Sequence, residues 1–364
     1  HAYSIGRIRW NPSNESGNTQ VTLFMNSVVN ACGDAITRKT NAPVTALVQD
    51  PETKEILGCV YTNGSSSTYV KAVKGVIMCC GGFENNAQMK ADYLSAPWAR
   101  RIAGECNEGD GITMCARAGA DMWHMNSCAG FWTSMSKIDS DQCLMRTPKE
   151  EGITVGVNGR RFYMDWDKDV AVDWDSFTER DLRLHVGSRH GHMQFGGEWP
   201  HLPMPAVTWF ITDAAGYQSI LENKMMAITF DPMEGWGYTA ETLEELAGLI
   251  DVPADELTRT VAQWNECCAQ GEDVYFHRPA STLNPVEGAP YYALYCPPTM
   301  LNTDGGPRRS AKGEILDLEG QPIPHLYSAG EFGSVWSHMY QGAGNLAECL
   351  AFGRISVRNC LGIA

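Results

Sequence analysis

Near the C-terminus, an acid, a tyrosine and a run of small residues stand close enough in sequence to share one site. His325 to Ala329 reads as a short strand, with Gly330 and Glu331 at its C-terminal end. A carboxylate there can accept hydrogen bonds from a cofactor's ribose or ribitol hydroxyls, as strand-end acids do in dinucleotide folds. Tyr340-Gln341-Gly342-Ala343-Gly344-Asn345-Leu346 then leads into an apolar helix from Ala347 to Cys360. The free N–H groups and positive dipole end of that helix can hold a partial negative charge. Gly342-x-Gly344-x-x-Ala347 matches the loose dinucleotide fingerprint. Yet no strand immediately precedes it, and only 17 residues follow Ala347, too few for another βαβ unit with its acid. The helix end is better suited to face the electron-rich carbonyl edge of a flavin.

A second strand-end stands at Val76-Ile77-Met78-Cys79-Cys80, a continuous apolar run ending in Gly81-Gly82. That pattern suits a buried strand stopping at a tight turn, the place where open α/β sheets bind ligands; a glycine turn without a ligand is the alternative. Asp165-Trp166-Asp167-Lys168-Asp169 offers acids that an apolar pocket could convert into proton donors, or else a solvated acidic loop. His185, His190 and His192 cluster loosely, but no Cys or carboxylate stands at recurrent ligand spacing, so no metal site is expected. The 13 cysteines lack CxxC spacing, and the tight pairs are the vicinal Cys79-Cys80 and Cys267-Cys268. Buried free thiols in a reducing or anaerobic setting are the expectation.

These residues need elements to position them. Gln20 to Ile36 has apolar side chains at Val21, Phe24, Val28 and Ala31, close to helical spacing. Val44 to Val48 and Ile56 to Tyr61 read as strands closed by Asp50-Pro51-Glu52 and Asn63-Gly64-Ser65. Thr242-Leu243-Glu244-Glu245 is a capping box, and a second helix runs from about Ala254 to Gln270, with Leu257, Val261, Trp264 and Cys268 on one face and Gly271 as terminator. Between Met125 and Asn302 the composition shifts to short polar and aromatic pieces. Trp123, Trp132, Trp166, Trp174, Trp199, Trp209 and Trp236 fall in or beside this stretch. It reads as an inserted cap flanked by two parts of one α/β domain. The 364 residues suffice for one large or two ordinary domains. A net charge of −15 argues against nucleic acid as a partner, and no run reaches the roughly 18 apolar residues of a membrane span.

Six motifs occur in a fixed order: Gly81-Gly82-Phe83-Glu84-x-Asn86, Gly109-Asp110-Gly111, Asn158 to Phe162, Thr303 to Pro307, Ser328 to Glu331 and Tyr340 to Leu346. In that order they resemble the fumarate reductase / 3-ketosteroid dehydrogenase superfamily of FAD-dependent flavoproteins, closest to its ketosteroid dehydrogenase and enone reductase branch. The resemblance implies an α/β fold with a two-part Rossmann-like FAD-binding domain, incomplete at its N-terminus, and an inserted α+β cap. The implied parts are 1–125 and 303–364 for the FAD side and 126–302 for the cap. The family's N-terminal strand, its Gly-x-Gly-x-x-Gly turn and its adenosine-ribose acid have no counterpart. Against family length, about 130 to 160 residues are expected to be missing. The resemblance assigns FAD contacts to Gly81, Gly82, Gly109, Asp110, Gly111, Gly306, Gly330, Glu331, Asn345 and Leu346.

Fumarate reductases clamp two carboxylates with His and Arg and use an Arg as proton donor. Those four cations fall here on Phe131, Asn302, Gln341 and Asp169, so a small dianion is a poor fit. Phe131, Trp132, Asn302 and Gln341 are the implied substrate pocket. Tyr340 and Gly344 match the Tyr-x-x-x-Gly in which a hydroxyl and a backbone N–H polarise a ketone, an oxyanion hole for enone chemistry. Asp169 and Tyr163 are the candidate proton donors. The expected activity is FAD-dependent oxidation or reduction of a C=C or CH–CH bond conjugated to a carbonyl, on a small apolar substrate. An electron-transfer protein or quinone is the expected redox partner. Alternatives are an aryl-acrylate or urocanate/fumarate-like acid reductase, with Arg308, Arg309 and Lys168 as carboxylate partners, or a non-catalytic flavoprotein subunit.

Overall fold

The first element is a helix, α1 (Gln20–Cys32), which passes into one 3-10 turn before the expected end at Ile36. The computed structural model describes residues 20–102, 106–131, 135–140, 143, 150–163, 165, 205–222, 234–336 and 344–363. Three antiparallel strands follow: β1 (Val44–Gln49), β2 (Ile56–Asn63) and β3 (Ser66–Lys71). Asp50 shapes the first turn by accepting the N–H groups of Glu52 at 2.9 Å and Thr53 at 2.8 Å. Those bonds, Thr53 first, hold its carboxyl below the usual range.

The apolar run at Val76 forms a shorter strand than its length suggests. β4 (Val76–Met78) stops at Met78, where its parallel partner also ends. Next come α2 (Ala87–Tyr93), β5 (Arg100–Arg101), α3 (Asp110–Arg117), β6 (Met122–Trp123) and β7 (Cys128–Phe131). Asn86 caps α2, its side chain accepting the Met89 N–H at 3.0 Å.

The middle of the chain contributes β8 (Gly152–Gly156), β9 (Thr208–Thr212), α4 (Ala214–Glu222), β10 (Gly237–Ala240), α5 (Leu243–Leu249), α6 (Ala254–Gln270) and β11 (Tyr291–Tyr295). Its four strands pair antiparallel in the order β10-β11-β9-β8. Alternation along β9 sends Trp209 and Ile211 to one face and Phe210 to the other. Trp209 and Ile211 meet Leu246 of α5 and Leu257, Val261 and Trp264 of α6. Phe210 packs with Tyr217 and Ile220 of α4. Each such fully buried side chain contributes about 1.5–3 kcal/mol. The Thr242 cap forms, its Oγ1 accepting the Glu245 N–H at 3.2 Å.

The chain closes with β12 (Thr299–Thr303), β13 (Gly306–Pro307), β14 (Glu314–Leu316), β15 (Pro322–Ser328) and α7 (Gly344–Leu361). β12 lies between β5 and β7, β13 pairs with β6, and β15 lies between β14 and β4. A second core, including Met78, Phe83, Ile112, Met300, Leu326 and Phe332, joins these strands to α3.

The expectation of buried thiols needs correction. Every cysteine is free, but Cys32, Cys79, Cys80, Cys106 and Cys349 are exposed, while Cys115, Cys128, Cys267 and Cys296 are buried. Cys79 and Cys80 follow the last paired residue of β4, so the sheet no longer covers them. No described helix is long and apolar enough to cross a membrane.

Candidate functional site

Two strand ends and one helix start build the site. Leu326 to Ser328 of β15 pair in parallel with Val76 to Met78 of β4, so both C-terminal ends open at one edge of the sheet. β15 delivers Gly330 and Glu331, β4 delivers Gly81 to Glu84, and α7 opens at Gly344.

Asn107 ties these ends together. Its Nδ2 donates to Glu84 Oε1 at 2.6 Å and to Glu331 Oε1 at 3.3 Å. Asn345 Nδ2 donates to the other Glu331 oxygen at 3.3 Å. Burial, reinforced by Glu84, Asp304 and Glu348, pushes the Glu331 carboxyl up to about 8. Asp304 has no exposed surface and accepts from Ser127 Oγ at 2.9 Å and Asn302 Nδ2 at 3.1 Å. Burial is the main force raising it to about 7. Burial also raises Glu84, whose carboxylate accepts from Thr303 Oγ1 at 3.4 Å. The fourth acid, Glu348 on α7, is charge-paired: Arg309 Nη2 reaches it at 2.8 Å, and both side chains are buried.

Close approach restricts two positions to glycine. A Cβ on Gly82 would collide with Thr303 Oγ1 and come within 2.6 Å of Glu84 Oε2. One on Gly344 would lie 2.7 Å from the Trp336 indole. Among the other expected positions, Gly81 abuts Asn107, Gly111 abuts Cys80 and Phe332, Gly306 abuts Gly333, and Gly330 abuts Cys349 Sγ. Gly109 is the N-cap of α3 and Asp110 its exposed first residue. Leu346, in the first turn of α7, is exposed.

The remaining expected residues are less concentrated. Asn302 is buried, and its amide donates to Thr303 O at 3.2 Å as well as to Asp304. Phe131 pairs with Thr299 across β7 and β12. Tyr163 is buried in the second core, its ring 4.8 Å from Phe162. Tyr340, Gln341, Asp169, Trp132 and Lys168 lie outside the described residues. Asp165 is not available as a proton donor. It has no exposed surface and forms ion pairs with Arg161 at 3.2 Å and Arg278 at 3.3 Å. Arg308 and Arg309 are likewise engaged, the first with Asp121 at 2.5 Å and the second with Glu348. Sequence reasoning missed Asn107, whose one signal is its place two residues ahead of Gly109-Asp110-Gly111.

The FAD binding domain family matches residues 3–346. The chain is 30% identical over 294 residues to an NADH:acrylate oxidoreductase of Vibrio harveyi, covering 78% of this chain and 26% of that protein. It is 30% identical over 318 residues to a 3-oxosteroid 1-dehydrogenase of Mycobacterium tuberculosis, covering 79% of this chain and 52% of that protein. In fold it is similar to the crystal structure of a 3-ketosteroid Δ1-dehydrogenase from Sterolibacterium denitrificans in complex with 1,4-androstadiene-3,17-dione. There the TM-score is 0.71 at 22% identity, covering 88% of this chain and 59% of that one. The chain thus spans about a quarter of the first relative and about half of the second.

Proposed function

The chain belongs to the FAD-binding family that matches it over residues 3–346, and from that premise we propose that the protein is an FAD-dependent oxidoreductase acting on a C=C or CH–CH bond conjugated to a carbonyl, on an apolar ring-containing substrate. Residues 126–302 form its cap, and 1–125 with 303–364 its FAD side. The four-stranded sheet with α4 to α6 falls wholly inside the first stretch, which supports that division.

The residues present fit FAD. Asn345 Oδ1 is buried and has no partner, an acceptor awaiting a donor. Glu331 has one amide donor on each oxygen and room to accept ribose or ribitol hydroxyls. The first-turn N–H groups of α7 suit an electron-rich carbonyl edge. FAD, when bound, supplies hydride exchange with the substrate carbon at its ring N5.

The chain's own residues do the rest. The Tyr340 hydroxyl and the Gly344 N–H donate to the substrate's carbonyl oxygen and stabilise the enolate charge there, worth a few kcal/mol, about 3 for each donor. Trp336 packed on Gly344 holds that N–H in place. Asp169 or Tyr163 delivers or removes the proton at the carbon next to the carbonyl. The burial of Tyr163 behind Phe162 favours Asp169.

The acidity of the surroundings is the observation that carries this choice of substrate. Four carboxyls, Glu84, Asp304, Glu331 and Glu348, meet at this strand end, and Arg309 beside them is held by Glu348, so these residues offer a dicarboxylate no clamp. With Phe131, Asn302, Gln341 and Asp169 at the clamp positions, a neutral enone is the better fit. Similarity to the acrylate oxidoreductase favours a second reading, an aryl-acrylate acid. The engagement of Arg308 and Arg309 with Asp121 and Glu348 weighs against it.

The test is stopped-flow reoxidation of the reduced full-length protein by a panel of enones, aryl acrylates and fumarate. Enones are expected to reoxidise it fastest, and Tyr340→Phe to slow them about 100-fold. Fast reoxidation by fumarate alone, or indifference to Tyr340→Phe, would overturn the proposal. Loss of aryl-acrylate activity in Arg308→Ala with flavin retained would favour the second reading.

A further inference from the structure

A cavity of about 280 Å³ lies away from the strand-end site and shares no residue with it. Arg160 and Arg161, which follow β8, line it with Arg259 and Trp264 of α6 and with Tyr275 and Phe276 from the loop beyond. Its lining holds three guanidinium groups and, among the described residues, no carboxylate.

Glu256 pairs with Arg160 and Arg259, Asp255 adds its field at Arg160, and Asp165 and Asp273 pair with Arg161 and Arg278 behind the wall. One of these arginines is nonetheless incompletely satisfied. Arg161 is 5% exposed and bonds Asp165 and Asp273 through its terminal nitrogens, but its buried Nε–H has no partner. A buried donor left unmade is unfavourable until an acceptor reaches it.

The shape of the wall is aromatic. The Arg161 guanidinium lies 4.6 Å from the centre of the Trp264 ring and 5.0 Å from that of Phe276. Tyr275, half exposed, adds a third ring at the cavity. A cavity of about 150 Å³ holds one benzene, so this one has space for a ring with its charged group. Guanidinium forks match carboxylate geometry in pairs.

We infer that this cavity is an accessory binding site for a small aromatic carboxylate. The carboxylate meets the Arg161 and Arg259 guanidinium groups, and the ring lies against Tyr275 and Phe276. The site is independent of the flavin chemistry proposed above.

Isothermal titration of the full-length protein with benzoate tests it, beside benzamide, cyclohexanecarboxylate and inorganic phosphate. Benzoate is expected to bind saturably at one site, at least tenfold tighter than each of the other three. Arg259→Ala and Tyr275→Ala change exposed side chains that carry no core packing, and each is expected to weaken benzoate at least tenfold with an unchanged thermal melt. Absence of saturable binding, equal affinity for phosphate or cyclohexanecarboxylate, or unchanged affinity in both variants overturns the inference.

Discussion

Glu331→Gln takes a charge out of the carboxyl cluster while keeping its shape, and its effect on stability can be worked from the structure. An ordinary glutamate titrates near 4.5, whereas Glu331 is pushed up to about 8 by burial and then by Glu84, Asp304 and Glu348. Between those two values the folded chain keeps a proton that the unfolded chain has released. Stability therefore falls as pH rises through that window and levels off above it. At about 1.4 kcal/mol per pH unit the whole displacement is on the order of 5 kcal/mol. Glu331 is partly open to solvent and shares its protonation with three other carboxyls, so a fall of about 2 kcal/mol is expected. Glutamine does not titrate. The variant should thus lose that dependence and be about 2 kcal/mol more stable than the parent at about pH 8. Urea unfolding of the flavin-free full-length protein at about pH 5 and about pH 8 measures both quantities. Above about pH 8, where Glu331 is ionised, the same change removes a charged acceptor for ligand hydroxyls, worth about 1.5–3 kcal/mol, so FAD affinity there should drop about 10- to 150-fold. Equal pH dependence in parent and variant, together with unchanged FAD affinity, would refute the placement of Glu331 at the centre of the site.

Two further changes probe the same region. Gly82→Ala drives a methyl group into Thr303 Oγ1 and Glu84. It should lower stability by about 1–3 kcal/mol and impair flavin retention, and a thermal melt identical to the parent's would contradict that close approach. Arg309→Met leaves Glu348 buried without its cation, a loss of about 3–5 kcal/mol. Adding Glu348→Gln should restore most of it in urea unfolding, and a double variant as unstable as the single one would show that the pair is not coupled.

What was legible in the sequence was what local periodicity or a short motif encodes. α6 follows from Leu257, Val261 and Trp264 on one face and from Gly271 at its end, and all three of those side chains are buried. Thr242 announced its cap because the pattern lies within four residues. β3 escaped because all six of its residues are exposed and show no apolar alternation. β5, β6 and β13 are two residues each, too short for any period, and exist through partners far along the chain. Asp165 looked like part of a solvated acidic stretch because Arg278, which pairs with it beside the nearby Arg161, is 113 residues away. Several glycines of the site were recognisable by motif order, whereas Asn107 was not. Its contact with Glu331 spans 224 residues, and its place two residues ahead of Gly109 marks a loop without naming that partner.

The carboxyl cluster is uneven in a way that bears on function. Glu348 has Arg309, Ser334 Oγ at 2.7 Å and the Val335 N–H at 2.8 Å. Asp304 has two neutral donors, and Glu84 has Asn107 and Thr303. Glu331, with two amide contacts at 3.3 Å each, is the least well held of the four and the one at the open strand end. A carboxylate has about four acceptor positions, so Glu331 retains capacity that the described residues do not fill. Hydroxyl donors from a bound cofactor would fill it and lower the carboxyl from its raised value. The instability at this strand end and the affinity for a hydroxyl-bearing ligand then have one cause. Ligand binding to the folded chain alone also stabilises it, by about 2.7 kcal/mol at 100 times the dissociation constant, which is comparable to the penalty assigned to Glu331 itself.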